Sequence, residues 1–147
     1  MSFVPDDFEV PLEHHAASFV LRPLAIAHNE RDHDAWMSSI DHIRATPGFP
    51  DGNWPRPMSL ADNARDLERH EHDFAARRGF TYTVLSPDES DVIGCVYIYP
   101  GAEDGPASIQ SWVRASHAHV DAELYRVVRS WLDGSWPFDA FEYAARD

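Results

Sequence analysis

The chain has 147 residues, with 12 arginines, no lysine and 25 acidic residues, giving a net charge of −13. That length holds one domain with a real core and excludes two. The acidic balance argues against a nucleic-acid partner, whose phosphates need clustered cations, and the absent lysine excludes a phosphate-binding P-loop, Schiff-base chemistry and a serine–lysine dyad.

Residues 1–18 read as an irregular N-terminal arm ahead of a single domain over 19–147. The arm is acidic, without a positively charged start or an apolar stretch, so it is not read as a signal peptide, and no segment reaches membrane-spanning length. Cys95 stands alone inside an apolar run, which rules out an internal disulfide and makes a reducing cytoplasm the expected compartment. Phe19 to Leu24 is expected as a first strand, near an edge because of Pro23. From Asn29, Trp36, Ile40 and Ile43 recur at helical spacing until Thr46-Pro47-Gly48 ends the helix. Thr46 to Met58 then holds four prolines together with Phe49 and Trp54, and is expected as the longest loop.

Ser59-Leu-Ala-Asp62 opens a second helix, because the serine oxygen accepts from an early amide and the acid suits the positive end of the helix dipole. Leu60, Ala64, Leu67 and Phe74 give it a buried stripe, Arg77 and Arg78 fall in its last turn, and Gly79 is expected to close it. Phe80 to Ser86 and Asp91 to Tyr99 form a hairpin about Pro87-Asp-Glu-Ser90, and the second strand is apolar on both faces, hence central. Ala107 to Val113 completes the meander. Asp121 is expected to cap a last helix with Leu124, Val127, Val128, Trp131 and Leu132 on one stripe, ended by Gly134. Phe138 to Tyr143 alternates as a final strand, parallel to Ala107–Val113 because the connection is a crossover. The fold class is therefore α+β with a mixed central sheet: strand, two helices, three antiparallel strands, helix, strand.

This order resembles the GNAT superfamily of acyl-CoA-dependent N-acetyltransferases over nearly the whole chain. In that family the loop after the fourth strand carries Arg or Gln, two variable residues, Gly, a variable residue, then Gly or Ala. Its amides hold the acetyl-CoA pyrophosphate at the start of the following helix. The aligned residues here are Arg114, Ala115, Ser116, His117, Ala118 and His119, so the arginine matches and two histidines stand where small residues are expected. The resemblance implies acetyl-CoA-dependent acylation of a small amine or a peptide amine. Main-chain groups of Trp112, Val113 and Arg114 would align the pantetheine arm, His117, Ala118 and His119 would surround the diphosphate, and Phe49 and Trp54 would meet the acceptor. Many relatives continue beyond the fifth strand, so a homodimer covering that edge is expected. The alternative is a member of the fold without catalysis, serving as a ligand-binding or interaction module.

Two side chains are candidate catalytic groups. Tyr143 faces the same side of its strand as Phe141 and would protonate a departing thiolate or simply pack in the core. Glu103 is, with Glu123, the carboxylate nearest the loop in sequence; loop solvation explains it equally well. His70 and His72 lie two apart on a helix, where side chains diverge, and read as a solvated face; His14 and His15 read as part of the irregular arm. His117 and His119 have no cysteine or acidic partner fixed by spacing, so no metal is expected.

Overall fold

The computed structural model describes residues 2–49 and 53–146. Among these, six strands form one sheet in sequence order: β1 (His14–His15), β2 (Val20–Pro23), β3 (Phe80–Leu85), β4 (Val92–Tyr99), β5 (Ala107–Val113) and β6 (Phe141–Tyr143). Neighbours are antiparallel except β5 and β6, which run parallel as the crossover requires. Four α-helices accompany them: α1 (Asn29–Met37), α2 (Ile40–Arg44), α3 (Leu60–Ala75) and α4 (Asp121–Ser135). The α+β class and the mixed sheet are as the sequence implies. No helix of the described residues is long and apolar enough to cross a membrane.

The period-two alternation of the strands sorts side chains into two cores. Phe80, Tyr82, Val84, Ile93, Val96, Ile98, Ile109 and Val113 face α4, whose Leu124, Val128, Trp131 and Leu132 close that layer. Each such buried side chain contributes roughly 1.5–3 kcal/mol relative to exposure. On the other face Leu85, Val92, Cys95 and Trp112 meet Leu24, Ala35, Trp36, Ile43 and Leu67 from the segment carrying α1 to α3. Both faces of β4 are covered, as its apolar run predicts. β3 is buried along its whole length, and its two threonines stay satisfied by bonding histidines: Thr81 to His70 and Thr83 to His28.

Several local expectations change. The single helix expected from Asn29 breaks at Ser38 and Ser39, where Ser38 caps α1 and the extended φ of Ser39 starts α2. Ser59 does cap α3, accepting from Asp62 N at 3.0 Å. The left-handed residue that ends that helix is Arg77 (φ 60°), not Gly79. Gly79 is small for another reason: a Cβ there would lie 2.2 Å from the Tyr99 ring. Asp121 does not cap α4; its carboxylate turns to Arg146. The final strand is regular only from Phe141. Within the arm, His14 and His15 pair with Leu21 and Val20, His14 stacks on Trp131 at 4.7 Å, and Val4 is buried in the core under α4. In the loop from Thr46 to Met58, residues 50–52 lie outside the described residues.

Candidate active site

The β5–β6 ladder is short. Ala107, Ser108 and Ile109 pair with Phe141, Glu142 and Tyr143, and there the pairing ends. Strand geometry turns alternate main-chain groups to opposite edges. Arg114 N donates to Ile93 O on the β4 side, so the even residues Trp112 and Arg114 direct their amides into the sheet. Of the three residues expected to line a pantetheine arm, only Val113 has its amide and carbonyl on the open edge, together with Ser111. Past Ile109 and Tyr143 the two strands are no longer paired.

That edge is closed by Arg146, whose side chain is only 3% exposed. Its Nη2 donates to Ser111 O at 2.6 Å, Nη1 to Ala144 O at 2.8 Å, and Nε to Asp121 Oδ2 at 2.9 Å. Asp121 Oδ1 has no partner among the described residues. Tyr143 lies beside this pair: its hydroxyl and Ser111 Oγ are 2.5 Å apart, and burial pushes its pKa up to about 12. The phenol is therefore a buried, protonated group beside the end of the ladder.

The loop after β5 coils into a 3₁₀ segment over Ala115–Val120. Arg114 leads it, but its guanidinium contacts Asp34 at 3.0 Å, Asp91 at 3.5 Å and the Val92 carbonyl at 3.3 Å. Ala115 N donates to Ser39 Oγ, and His117 N to Arg114 O. The rings of His117 and His119 stack on each other at 6.0 Å; His117 is half-buried, while Ala118 and His119 are exposed. The loop and strand edge thus place an arginine and a helix start beside the main-chain groups of Val113, while the Ser111 carbonyl on the same edge is covered by Arg146. Both arginines are engaged by acids.

On the opposite face of β5 lies a cavity of about 410 Å³, entered between α1, α3 and the sheet. Ser108 and Gln110 of β5 form its floor, and Trp36, Phe49, Trp54 and Tyr97 its aromatic walls. Phe49 and Trp54, expected at an acceptor site, are brought together here with ring centroids 5.9 Å apart. Glu103 is not: it sits exposed on a turn with φ 51°, away from the cavity.

Two polar groups in the cavity have no place in the sequence reading. His70 is the first. It lies on the inner face of α3, while His72 stays exposed, so the expectation of one solvated face fails for His70. Tyr99 has one hydroxyl proton and gives it to Asp73 Oδ2 at 2.9 Å, so its oxygen accepts from His70 Nδ1–H, also at 2.9 Å. Thr81 Oγ1 lies 3.1 Å from the same Nδ1, so both hydroxyls engage that nitrogen, and among the described residues Nε2 makes no hydrogen bond. Burial lowers the His70 pKa, with a further push from Arg69, which keeps the ring neutral. The second is Asp32 of α1, 3% exposed, held by Asn63. Among the described residues no cluster of three or more His, Cys, Asp or Glu side chains is arranged to hold a metal.

Sheet order, the short parallel pair and the strand–loop–helix crossover define the acetyltransferase fold of the GNAT superfamily, and solved structures agree. The ribosomal-protein-S5-alanine acetyltransferase from Vibrio fischeri superposes with TM-score 0.62 at 11% identity over 83% of this chain and 67% of that one. The Salmonella typhimurium enzyme that modifies the N-terminal serine of ribosomal protein L7/L12 gives 0.62 at 10% identity over 86% and 70%. The microcin C7 self-immunity acetyltransferase MccE, solved with acetyl-CoA and AMP, gives 0.58 at 14% over 82% and 67%. No protein-family model and no curated protein matches the sequence. The chain has the GNAT fold; at such identities the likeness is one of fold.

Proposed function

We propose that this chain is an acyl-CoA-dependent N-acyltransferase acting on a small-molecule or peptide amine. The observation that carries the reading is the β5–β6 pairing that stops at Ile109, beside a 410 Å³ cavity reached across the same strand. Bound acyl-CoA would supply the activated acyl carbon. The chain's residues would do the rest. The edge of β5 at Ser111 and Val113 aligns the arm, and Arg114 and the start of the 3₁₀ segment meet the diphosphate. The aromatic walls orient the amine. His70 Nε2 takes the amine's proton, and Tyr143 holds a proton beside the end of the ladder for the departing sulfur. Glu103 stands too far outside the cavity to share in this.

Calorimetry with acetyl-CoA tests the reading. The expected result is binding that Arg114→Ala weakens about tenfold or more, the scale of one charge-assisted hydrogen bond. His70→Gln should leave that binding intact and reduce turnover about a hundredfold or more. No heat at millimolar acetyl-CoA would overturn the proposal in favour of a binding module without catalysis, a reading favoured by the engagement of Arg114 and Arg146 with acids. A homodimer across the β6 edge belongs to the same proposal, and sedimentation showing only monomer at high concentration would remove it.

A further inference from the structure

Asp32 is out of place for an ordinary helix residue. A buried carboxylate is costly unless a cation accompanies it. Yet its oxygens receive only neutral donors: Asn63 Nδ2 at 3.0 Å and the Cys95 thiol at 3.6 Å. Among the described residues no arginine or histidine forms an ion pair with it. Burial accordingly pushes its carboxyl above the ordinary range.

The carboxylate is nevertheless held firmly. Asn63 Oδ1 accepts from Trp36 Nε1 at 3.1 Å, and its Nδ2 also donates to Asn29 Oδ1 at 2.8 Å, so the amide cannot turn without breaking three bonds. This fixed acid lines the 410 Å³ cavity. Beside it the indoles of Trp36 and Trp54 meet at 5.6 Å and 50°, forming a corner, with Phe49 and Tyr97 at 5.9 and 6.5 Å from Trp54. The cavity's arginine, Arg69, is already neutralised by Asp66 at 2.9 Å, so the charge of Asp32 is the one left over. A fixed carboxylate without an ion-pair partner, in a cavity walled by Trp54, Phe49 and Tyr97 with Trp36 packed behind, is chemistry that selects an organic cation, since aromatic faces attract positive charge and the acid completes it.

We infer that this cavity binds a compact organic ammonium ion with an apolar body, its cation between Asp32 and the Trp36–Trp54 corner. As the acceptor's recognition group, this ion gives the proposed transferase its substrate class; that role rests on the reading above, whereas the binding does not. A pocket of this volume accommodates a compact small molecule.

The test is calorimetry of the full chain, without acyl-CoA, against 2-phenylethylammonium and its neutral counterpart 2-phenylethanol. The ammonium should bind at least tenfold more tightly than the alcohol. Asp32→Asn should abolish that preference while the alcohol affinity stays within about twofold, and its thermal unfolding verifies the fold. Trp54→Leu, in the loop and away from the α1–α3 network, should weaken the ammonium about fivefold and serves if the Asp32 variant does not fold. Equal affinity for the two probes, binding of neither, or a preference that survives Asp32→Asn would overturn the inference. Acetyl-CoA titrated separately keeps the two ideas apart: cation selectivity without acetyl-CoA binding sustains this inference and sinks the transferase. Transfer activity without cation selectivity does the reverse.

Discussion

Replacing Arg146 with alanine tests the closed strand edge. The side chain is buried, pairs with Asp121 at 2.9 Å, caps the Ser111 carbonyl at 2.6 Å and lies 5.7 Å over the Tyr143 ring. Without it, Asp121 would be a carboxylate with one oxygen already unpartnered and the other newly so. Removing one member of a buried pair costs about 3–5 kcal/mol. Asp121 is 20% exposed, so water reaches it and the estimate falls to roughly 2–3 kcal/mol. For a domain of this size that is roughly 4–12 °C in Tm. The double variant Arg146→Met with Asp121→Leu should recover much of the loss, because an apolar replacement of both partners leaves no stranded charge. Scanning calorimetry gives the stability, and acetyl-CoA titration gives the second arm. Freeing the Ser111 carbonyl should tighten binding in Arg146→Ala even as Tm falls. A Tm change under about 2 °C, or weaker acetyl-CoA binding in the variant, would refute the claim that this arginine closes the edge.

Stability should fall between pH 7.5 and 5.5. Burial lowers the pKa of His14, His28 and His70 below the ordinary 6.5, so below that value the unfolded chain binds protons that the folded chain refuses, and the loss levels off beneath the folded values. The raised carboxyl of Asp32 acts with the opposite sign, costing stability as pH rises from its ordinary 3.8. His70→Gln should therefore flatten the urea midpoint's dependence over that window; an unchanged slope would show that His70 is not held neutral. Gly79→Ala should cost on the order of 1–3 kcal/mol, because the new methyl meets the Tyr99 ring at 2.2 Å and that ring is pinned by Asp73 and His70. Gly134→Ala, with nothing within 4 Å of its Cβ inside α4, should instead stabilise by about 0.5–1 kcal/mol, and equal effects at the two glycines in thermal melts would refute both accounts.

The strands that build the sheet announce themselves in the sequence because burial on one or both faces imposes a pattern that few other structures share. The Ser59 cap and the crossover to a parallel last strand follow from equally local chemistry. What stayed hidden is polar and distant in sequence. Nothing in His14-His15 marks a strand; two residues gain regularity only by pairing with Val20 and Leu21. Arg146 and Asp121 meet across 25 residues, a pairing that no periodicity encodes. Two functional-site residues do carry a local signal. Asp32 stands four before Trp36, and His70 stands three after Leu67 and four before Phe74, so each falls on the buried stripe of its helix. A charged or titratable residue on an apolar stripe is the signal, and His72, two positions on, lies off that stripe.

The slot between β5 and β6 is guarded unevenly, and that asymmetry bears on what the chain can do. Arg114 is held by Asp34 and Asp91, whose side chains are 72% and 51% exposed. Exposed pairs of this kind contribute about 0–1 kcal/mol, but the Arg114 side chain is itself only 15% exposed and also bonds the Val92 carbonyl. Arg146 is different: it is desolvated, and its pairing with Asp121 is matched by two carbonyls. A nucleotide portion would therefore have to draw Arg114 from two solvent-exposed acids and one carbonyl, while the arm that follows would meet a shut strand edge. A transferase must open that edge in each cycle, which needs an arm whose hydrogen bonds to Ser111 and Val113 compensate for stranding Asp121. A binding module has no such need, and can keep the pair closed while the cavity on the other face of β5 does its work.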